Sequence, residues 1–276
     1  MRTLYIADLD GTLLDPSPAL TDFSRKRLNE LTARGLCFSV ATARTAATVD
    51  ILLRGLVTGA PCVLMNGACV YDLAAKRYLK AETFPIASIL PVIRQFSLGG
   101  FAFSLENGQL NTFYEDVGSD AARVYMDDRI KNFGKVFTRV SSLADVPDVL
   151  YYSFTDRRER LEPAYLALKA LPGLRVEFYV DVYYPDNHYL EVASAAASKA
   201  NAVRYIREAC GFDRIVAFGD NYNDLPMFSV ADESCAMENA RAEVRAAATR
   251  VIGSNDRDGV ARYLSDIFPS TEEANA

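Results

Sequence analysis

Four short apolar runs, TLYIAD (3–8), LCFSVA (36–41), PCVLMN (61–66) and RIVAFGD (214–220), each stop at or just before a polar residue. The first three are separated by helix-like stretches. One starts at Thr21, carries Phe23, Leu28 and Leu31 on one face and stops at Gly35; the other is TAATVDILLRGL (45–56). Buried strands alternating with crossover helices specify a parallel sheet flanked by helices, an α/β fold of Rossmann-like kind. In such sheets the ligand crevice lies beyond the C-terminal strand ends. Here those ends carry Asp8 and Asp10, Thr42, Asn66 and Asp220.

The alternation breaks after the third run. ACVYDLAAKRYLKAE (68–82) reads as a hairpin, and from 84 to 187 strand-like FAFSLE, QLNTFY, VLYYSFT and LRVEFYVDVYY interleave with helical stretches near 86–97, 119–132 and 157–170. Polar residues at alternate positions in these strands predict a sheet with one covered face. The first rhythm resumes after HYLEVAS, with a helix at 198–210, the fourth run, a helix at 223–230, short segments at SCAM and TRVI, and a last helix at 258–267. The expected organisation is a discontinuous core, 1–83 and 188–276, with an inserted α+β domain at 84–187. The polar tail PSTEEANA is expected to fray.

Composition narrows the function classes. A net charge of −6 argues against a general binder of nucleic acid or anionic membranes, and no run approaches the length of a membrane span. Met1 is followed directly by a strand-like segment, so no cleavable signal is expected. Cys37, Cys62, Cys69, Cys210 and Cys235 are odd in number, scattered, and read as buried reduced thiols, which points to a cytoplasmic protein.

Two carboxylates at the mouth of a buried strand repel one another unless a counter-charge holds them. A divalent cation with hard oxygen ligands, such as Mg²⁺, supplies it, with Asp220 as a further carboxylate. Gly11 and Thr12 suit a tight loop whose N–H groups face an anion. Thr42 offers a hydroxyl donor and Lys199, at a helix start, a point charge. Donors, a cation and a metal around one anion describe a phosphate pocket.

DLDGTLLD (8–15), SVATAR (39–44), Lys199 and FGDNYND (218–224) resemble, in order, the four motifs of the haloacid dehalogenase superfamily. VLMNGACVYD (63–72), AMENA (236–240) and NDRDGVARYL (255–264) are similar to its Cof-type subfamily, which carries an α/β cap inserted after the third core strand. The resemblance covers both core portions, about 170 residues, and the cap in position and size.

It implies Mg²⁺-dependent hydrolysis of a small phosphate monoester, a sugar phosphate as first choice, through an aspartyl-phosphate. Asp8 matches the nucleophile and Asp10 the general acid/base. Asp8 and Asp220 match side-chain metal ligands, with Asp10 contributing its backbone carbonyl. Thr42 and Lys199 match the phosphate-holding hydroxyl and cation, Asn223 a phosphate-side amide, and Asp224 an acid orienting Lys199 or metal-bound water. Gly11, Thr12, Ala43, Arg44, Asn66 and Gly67 fall at the pocket rim as candidate phosphate or substrate contacts.

Plainer readings stand beside these. Thr42 can serve a helix N-terminus, Asn66 and Gly67 a turn, and Arg44 a surface ion pair. His188, the single histidine, reads as structural, at the hinge back into the core. The Tyr- and Asp-rich YVDVYYPDNHYLE (179–191) suits either sugar hydroxyls or an exposed strand edge. A phosphosugar mutase would keep every core residue; a non-catalytic phospho-ligand sensor would have no use for Asp8.

Overall fold

The structure, a computed structural model, describes residues 1–146, 148–181 and 184–268. The tail 269–276, and Val182 and Tyr183 of the Tyr-rich stretch, lie outside the described residues. The chain forms two compact units, 1–79 with 198–276, and 80–197.

In chain order the strands are β1 (Thr3–Ala7), β2 (Cys37–Val40), β3 (Cys62–Leu64), β4 (Cys69–Asp72), β5 (Arg77–Ala81), β6 (Phe101–Glu106), β7 (Gln109–Tyr114), β8 (Phe137–Arg139), β9 (Val149–Arg157), β10 (Leu174–Val180), β11 (Asn187–Ser194), β12 (Arg214–Gly219), β13 (Glu233–Met237) and β14 (Arg250–Ile252). The helices are α1 (Asp22–Ala33), α2 (Ala46–Leu52), α3 (Leu90–Gln95), α4 (Asp120–Phe133), α5 (Arg158–Lys169), α6 (Lys199–Cys210), α7 (Leu225–Phe228), α8 (Ala242–Ala247) and α9 (Gly259–Ile267).

The first unit is built on a parallel sheet in the order β14-β13-β12-β1-β2. A parallel bridge between Ala41 and Val63 brings β3 beside the end of β2. Central β1 buries Leu4 and Ile6 completely. Each such side chain removed from water contributes roughly 1.5–3 kcal/mol, which is why an unbroken apolar run ends up in the middle of the sheet. The Thr21 hydroxyl caps α1 by accepting from Ser24 N at 3.0 Å. Leu28 and Leu31 are fully buried, but Phe23 is exposed and lies under the Arg262 guanidinium. The apolar face of α1 is therefore narrower than its sequence suggests.

The second unit holds a six-stranded sheet in the order β10-β11-β9-β6-β7-β8, antiparallel except for the β7–β8 pair. Strand β11 pairs along its length with β9 and β10, so the return to the first unit falls at Ala197–Ser198 rather than at 187–188. HYLEVAS is thus a central strand of the second unit. His188 sits within it, its ring 5.0 Å from that of Phe178, and is not at a hinge.

Both faces of this sheet carry a helix, not one. Strands β7 and β9 run in the same direction, but β7→α4→β8 and β9→α5→β10 cross the sheet in opposite senses. Right-handed crossovers then place their helices on opposite faces. Accordingly Tyr165 of α5 stacks on Phe178, while Tyr125 of α4 stacks on Phe101, which belongs to the other face. Strand β10 lies at the sheet edge, where Tyr179 and Val180 are exposed. That favours the strand-edge reading for this part of the Tyr-rich stretch.

Candidate active site

The polar ends of β1, β2, β3 and β12 converge with the start of α6. Asp8 leaves β1 with its N–H donating to Phe218 O of β12 at 3.0 Å, so the first aspartate is anchored beside the fourth strand end. The chain then turns sharply through Gly11, at φ +77°. A Cβ there would stand 2.4 Å from Asp220 Oδ2, so only glycine lets the loop approach that carboxylate. Thr12 Oγ1 donates to Asp220 Oδ1 at 2.9 Å, and Asn239 Nδ2 donates to Gly11 O at 2.8 Å.

Lys199 is the first residue of α6, behind the Ser198 cap, and is 2% exposed. Its Nζ donates to Asp8 Oδ1 and to Asp224 Oδ1, both at 2.7 Å. Asp224 is fully buried, and its Oδ2 accepts from Asp220 N at 3.0 Å and Asn221 N at 3.1 Å. Asp224 thus commits both oxygens to protein donors: it fixes Lys199 on one side and the loop bearing Asp220 on the other.

Carboxylate oxygens of Asp8, Asp220 and Asp224 lie within 4.8 Å of one another. Burial pushes the Asp8 carboxyl well above the usual carboxylate range; Lys199 opposes this, and Asp224 and Asp220 add to it. Asp220 is pushed up to about 6, by burial first and then by Asp224. Burial acts downward on Lys199, but the two carboxylates at 2.7 Å outweigh it and raise the ammonium, which keeps its proton. Three carboxylates therefore share one lysine, an excess of negative charge in hard oxygen donors that a divalent cation would neutralise. Asp8 and Asp220 are the donors best placed for one, since Asp224 is spent on N–H groups.

Asp10 does not join this group. Its carboxylate is gripped by the Arg44 guanidinium, Nε to Oδ2 at 2.8 Å and Nη2 to Oδ1 at 2.5 Å. The two expected side-chain ligands, Asp8 and Asp220, do stand together, with Asp224 beside them; the part expected of Asp10 was its backbone carbonyl, and its carboxylate is turned to Arg44. Arg44 lies on Asp10, the ion-pair alternative to a substrate contact. Thr42 is fully buried, its Oγ1 accepting from Arg44 N at 3.1 Å, and Ala43 is exposed.

Met65, Asn66 and Gly67 carry three successive positive φ values, +53°, +53° and +92°. Such a run is costly for non-glycine residues and persists only where its surroundings hold it. Here Asn66 N donates to Thr42 O at 3.0 Å and Met65 N to Arg44 O at 3.2 Å. Asn223 Nδ2 donates to Asn66 Oδ1 at 3.2 Å, joining two expected pocket residues. Gly67 has a packing role: a Cβ there would stand 2.1 Å from Ser198 O. That seating brings the start of α6, and with it Lys199, into the site despite the small-residue loop ASAAAS before it.

Two residues of the site's frame were not singled out in the sequence. Asn239 links Gly11 O to Asn255 N, and Asn255 Nδ2 donates to Leu14 O at 2.8 Å. Both lie in the AMENA and NDRDGVARYL phrases, so the signal was present, but nothing in one dimension ties it to the loop after β1.

A parallel α/β sheet that presents a buried aspartate, a lysine and further carboxylates at its strand ends defines the class: an enzyme whose site suits a metal ion and an anion. The chain belongs to the haloacid dehalogenase-like hydrolase family, which matches residues 5–264, and to its Cof-type branch. It is 27% identical over 273 residues to pyridoxal phosphate phosphatase YbhA of Escherichia coli, covering 96% of this chain and 98% of that protein. It is 25% identical over 288 residues to the 5-amino-6-(5-phospho-D-ribitylamino)uracil phosphatase YwtE of Bacillus subtilis, covering 95% and 96%. Among solved structures, TM0651 of Thermotoga maritima aligns with a TM-score of 0.75 at 27% identity, covering 98% of each chain. A haloacid dehalogenase-like hydrolase of Bacteroides thetaiotaomicron reaches a TM-score of 0.78 at 22% identity, covering 97% of this chain and all of that one. No described helix is long and apolar enough to cross a membrane.

Proposed function

We propose that the protein is a Mg²⁺-dependent phosphatase of small phosphate monoesters, with Asp8 as nucleophile. The observation that carries this reading is the buried Asp8–Lys199–Asp224 triad beside Asp220. A carboxylate needs no base to become a nucleophile, but it must stay ionised and must tolerate an approaching phosphate dianion. Burial works against the first requirement and charge repulsion against the second. Lys199 offsets both, and a divalent cation held by Asp8 and Asp220 would supply the remaining positive charge.

In this reading Asp8 Oδ2, or Oδ1 released by Lys199, forms the new bond to phosphorus as the bond to the leaving oxygen breaks. Asp10 delivers the proton to that oxygen. It then takes a proton from the water that attacks the acyl phosphate, freeing Asp8 and inorganic phosphate. Thr42, Asn66, Asn223 and the N–H groups around Gly11 and Thr12 hold the phosphate oxygens. The inserted unit selects the leaving group, since the strand-end residues account for little beyond the phosphate. Sugar phosphates are the first candidates, and the named activities of YbhA and YwtE make phosphorylated cofactors and their precursors the next.

Phosphate release from a panel of sugar, cofactor-like and aryl phosphates, with and without Mg²⁺, tests the proposal. Metal-dependent release supports it. An isomerised sugar phosphate in place of free phosphate would mean a mutase, and tight phosphate-ester binding without release a sensor. Substitutions in the inserted unit that re-rank the panel while leaving the metal requirement unchanged would support its selecting role.

A further inference from the structure

We infer that Arg44 is a positioning residue that acts on the reaction through the carboxylate of Asp10, not by touching substrate. The inference rests on the phosphatase reading and extends it to a residue whose role the sequence left open.

The geometry is that of a two-pronged clamp. Arg44 Nε and Nη2 each meet a different oxygen of Asp10, at 2.8 and 2.5 Å, and a planar guanidinium fixes both the position and the plane of a carboxylate held this way. Asp10 needs such a hold, because its side chain is 49% exposed, against 18% for Arg44. Left alone, a half-exposed aspartate would exchange rotamers in water.

Arg44 is itself fixed to the most constrained part of the site. Its N–H donates to Thr42 Oγ1, its carbonyl accepts from Met65 N, and Thr42 O accepts from Asn66 N. Met65, Asn66 and Gly67 form the left-handed corner seated against Ser198. The stiffness of the β2 and β3 ends thus passes through one side chain to a carboxylate on the loop after β1. Asp8 is placed by the sheet and by Lys199; Asp10 is placed by Arg44.

A double-mutant cycle tests this. Arg44→Met removes the guanidinium and keeps the stem; Arg44→Lys keeps the charge and loses the fork. Single-turnover release of the leaving alcohol, beside steady-state kcat and KM, is measured on an aryl phosphate and an alkyl phosphate, in the wild-type and Asp10→Asn backgrounds. The aryl ester leaves without protonation, so release of its alcohol in a single turnover stays measurable in the Asp10→Asn background, although hydrolysis of the acyl phosphate is slowed there.

General acid help is worth about 10²–10⁴-fold, and losing its alignment should slow single-turnover alcohol release from the alkyl ester by about 10-fold or more, with a smaller fall for the aryl ester. KM should stay within about twofold, Arg44→Lys should recover only part of the loss, and Arg44→Met should cost nothing further on top of Asp10→Asn. A raised KM with kcat intact, or the same factor lost in both backgrounds, would overturn the inference in favour of direct substrate binding. Matched urea midpoints exclude a folding defect. Asp8→Asn runs in parallel: activity surviving there defeats the assignment of Asp8 as nucleophile, and no phosphate release by the wild type defeats the phosphatase reading, whereas an active wild type and an inactive Asp8→Asn with an uncoupled Arg44 defeat this inference alone.

Discussion

Lys199 Nζ stands 2.7 Å from Asp8 Oδ1 inside the protein, with 1% of the lysine side chain and 6% of the aspartate side chain exposed. A buried pair of this kind contributes little net stability, but removing one partner strands the other as an uncompensated charge.

Lys199→Met should therefore lower stability by about 3–5 kcal/mol and abolish turnover, because Asp8 and Asp224 would both lose their cation. Urea unfolding read beside a phosphate-release assay checks both parts. A midpoint shift within error of zero would mean that the site relaxes around the loss.

Gly67→Ala should reduce activity through the placement of Lys199. The added Cβ would meet the Ser198 carbonyl at 2.1 Å, and φ +92° is unfavourable for alanine. Stability should fall by more than about 1 kcal/mol, and kcat should fall further than that loss explains once assays are run well below the melting point. Unchanged kcat would show that α6 does not depend on this contact for its position.

Much of this frame was legible from the chain alone. The apolar runs 3–8, 36–41, 61–66 and 214–220 gave the parallel sheet because full burial of both faces leaves unbroken hydrophobic stretches. Lys199 and Asp224 were placed by the order of the motifs. Arg44 was read as a rim residue, since its partner, Asp10, lies on a different loop and no local pattern announces a contact across two strand ends. The limit of the insert was misjudged by ten residues for a similar reason: HYLEVAS is apolar enough for either sheet, and only its pairing with β9 and β10 decides. The three-residue β8 was too short to register as a run.

Glu191 should give the inserted unit a pH-dependent stability. It faces inward on β11, 7% exposed, and burial pushes its carboxyl up to about 7, against hydrogen bonds from Tyr151 and Tyr179. Its folded-state pKa lies above the unfolded one, so the folded form holds the proton more tightly. The contribution is fully present below about pH 4.3 and is lost as pH rises through about 7, a change of roughly 3 kcal/mol. Urea titrations at pH 5 and pH 8 should show a steeper fall for the wild type than for Glu191→Gln. Parallel pH profiles would remove Glu191 as the cause.

Asp220→Asn should raise the Mg²⁺ concentration needed for half-maximal activity by about 10-fold or more, since a neutral amide is a weaker ligand for a hard cation. Chelation followed by Mg²⁺ titration reads this directly. An unchanged requirement would place the metal elsewhere.

The central claim is that Asp8 becomes covalently phosphorylated. Rapid acid quench of Asp10→Asn with an aryl phosphate substrate, followed by peptide mass analysis, tests it most directly. The expected result is one phosphoryl group on the peptide carrying Asp8, discharged by hydroxylamine and absent when Asp8→Asn is added. A phosphoryl group on another residue, or undiminished turnover by Asp8→Asn, would contradict the account.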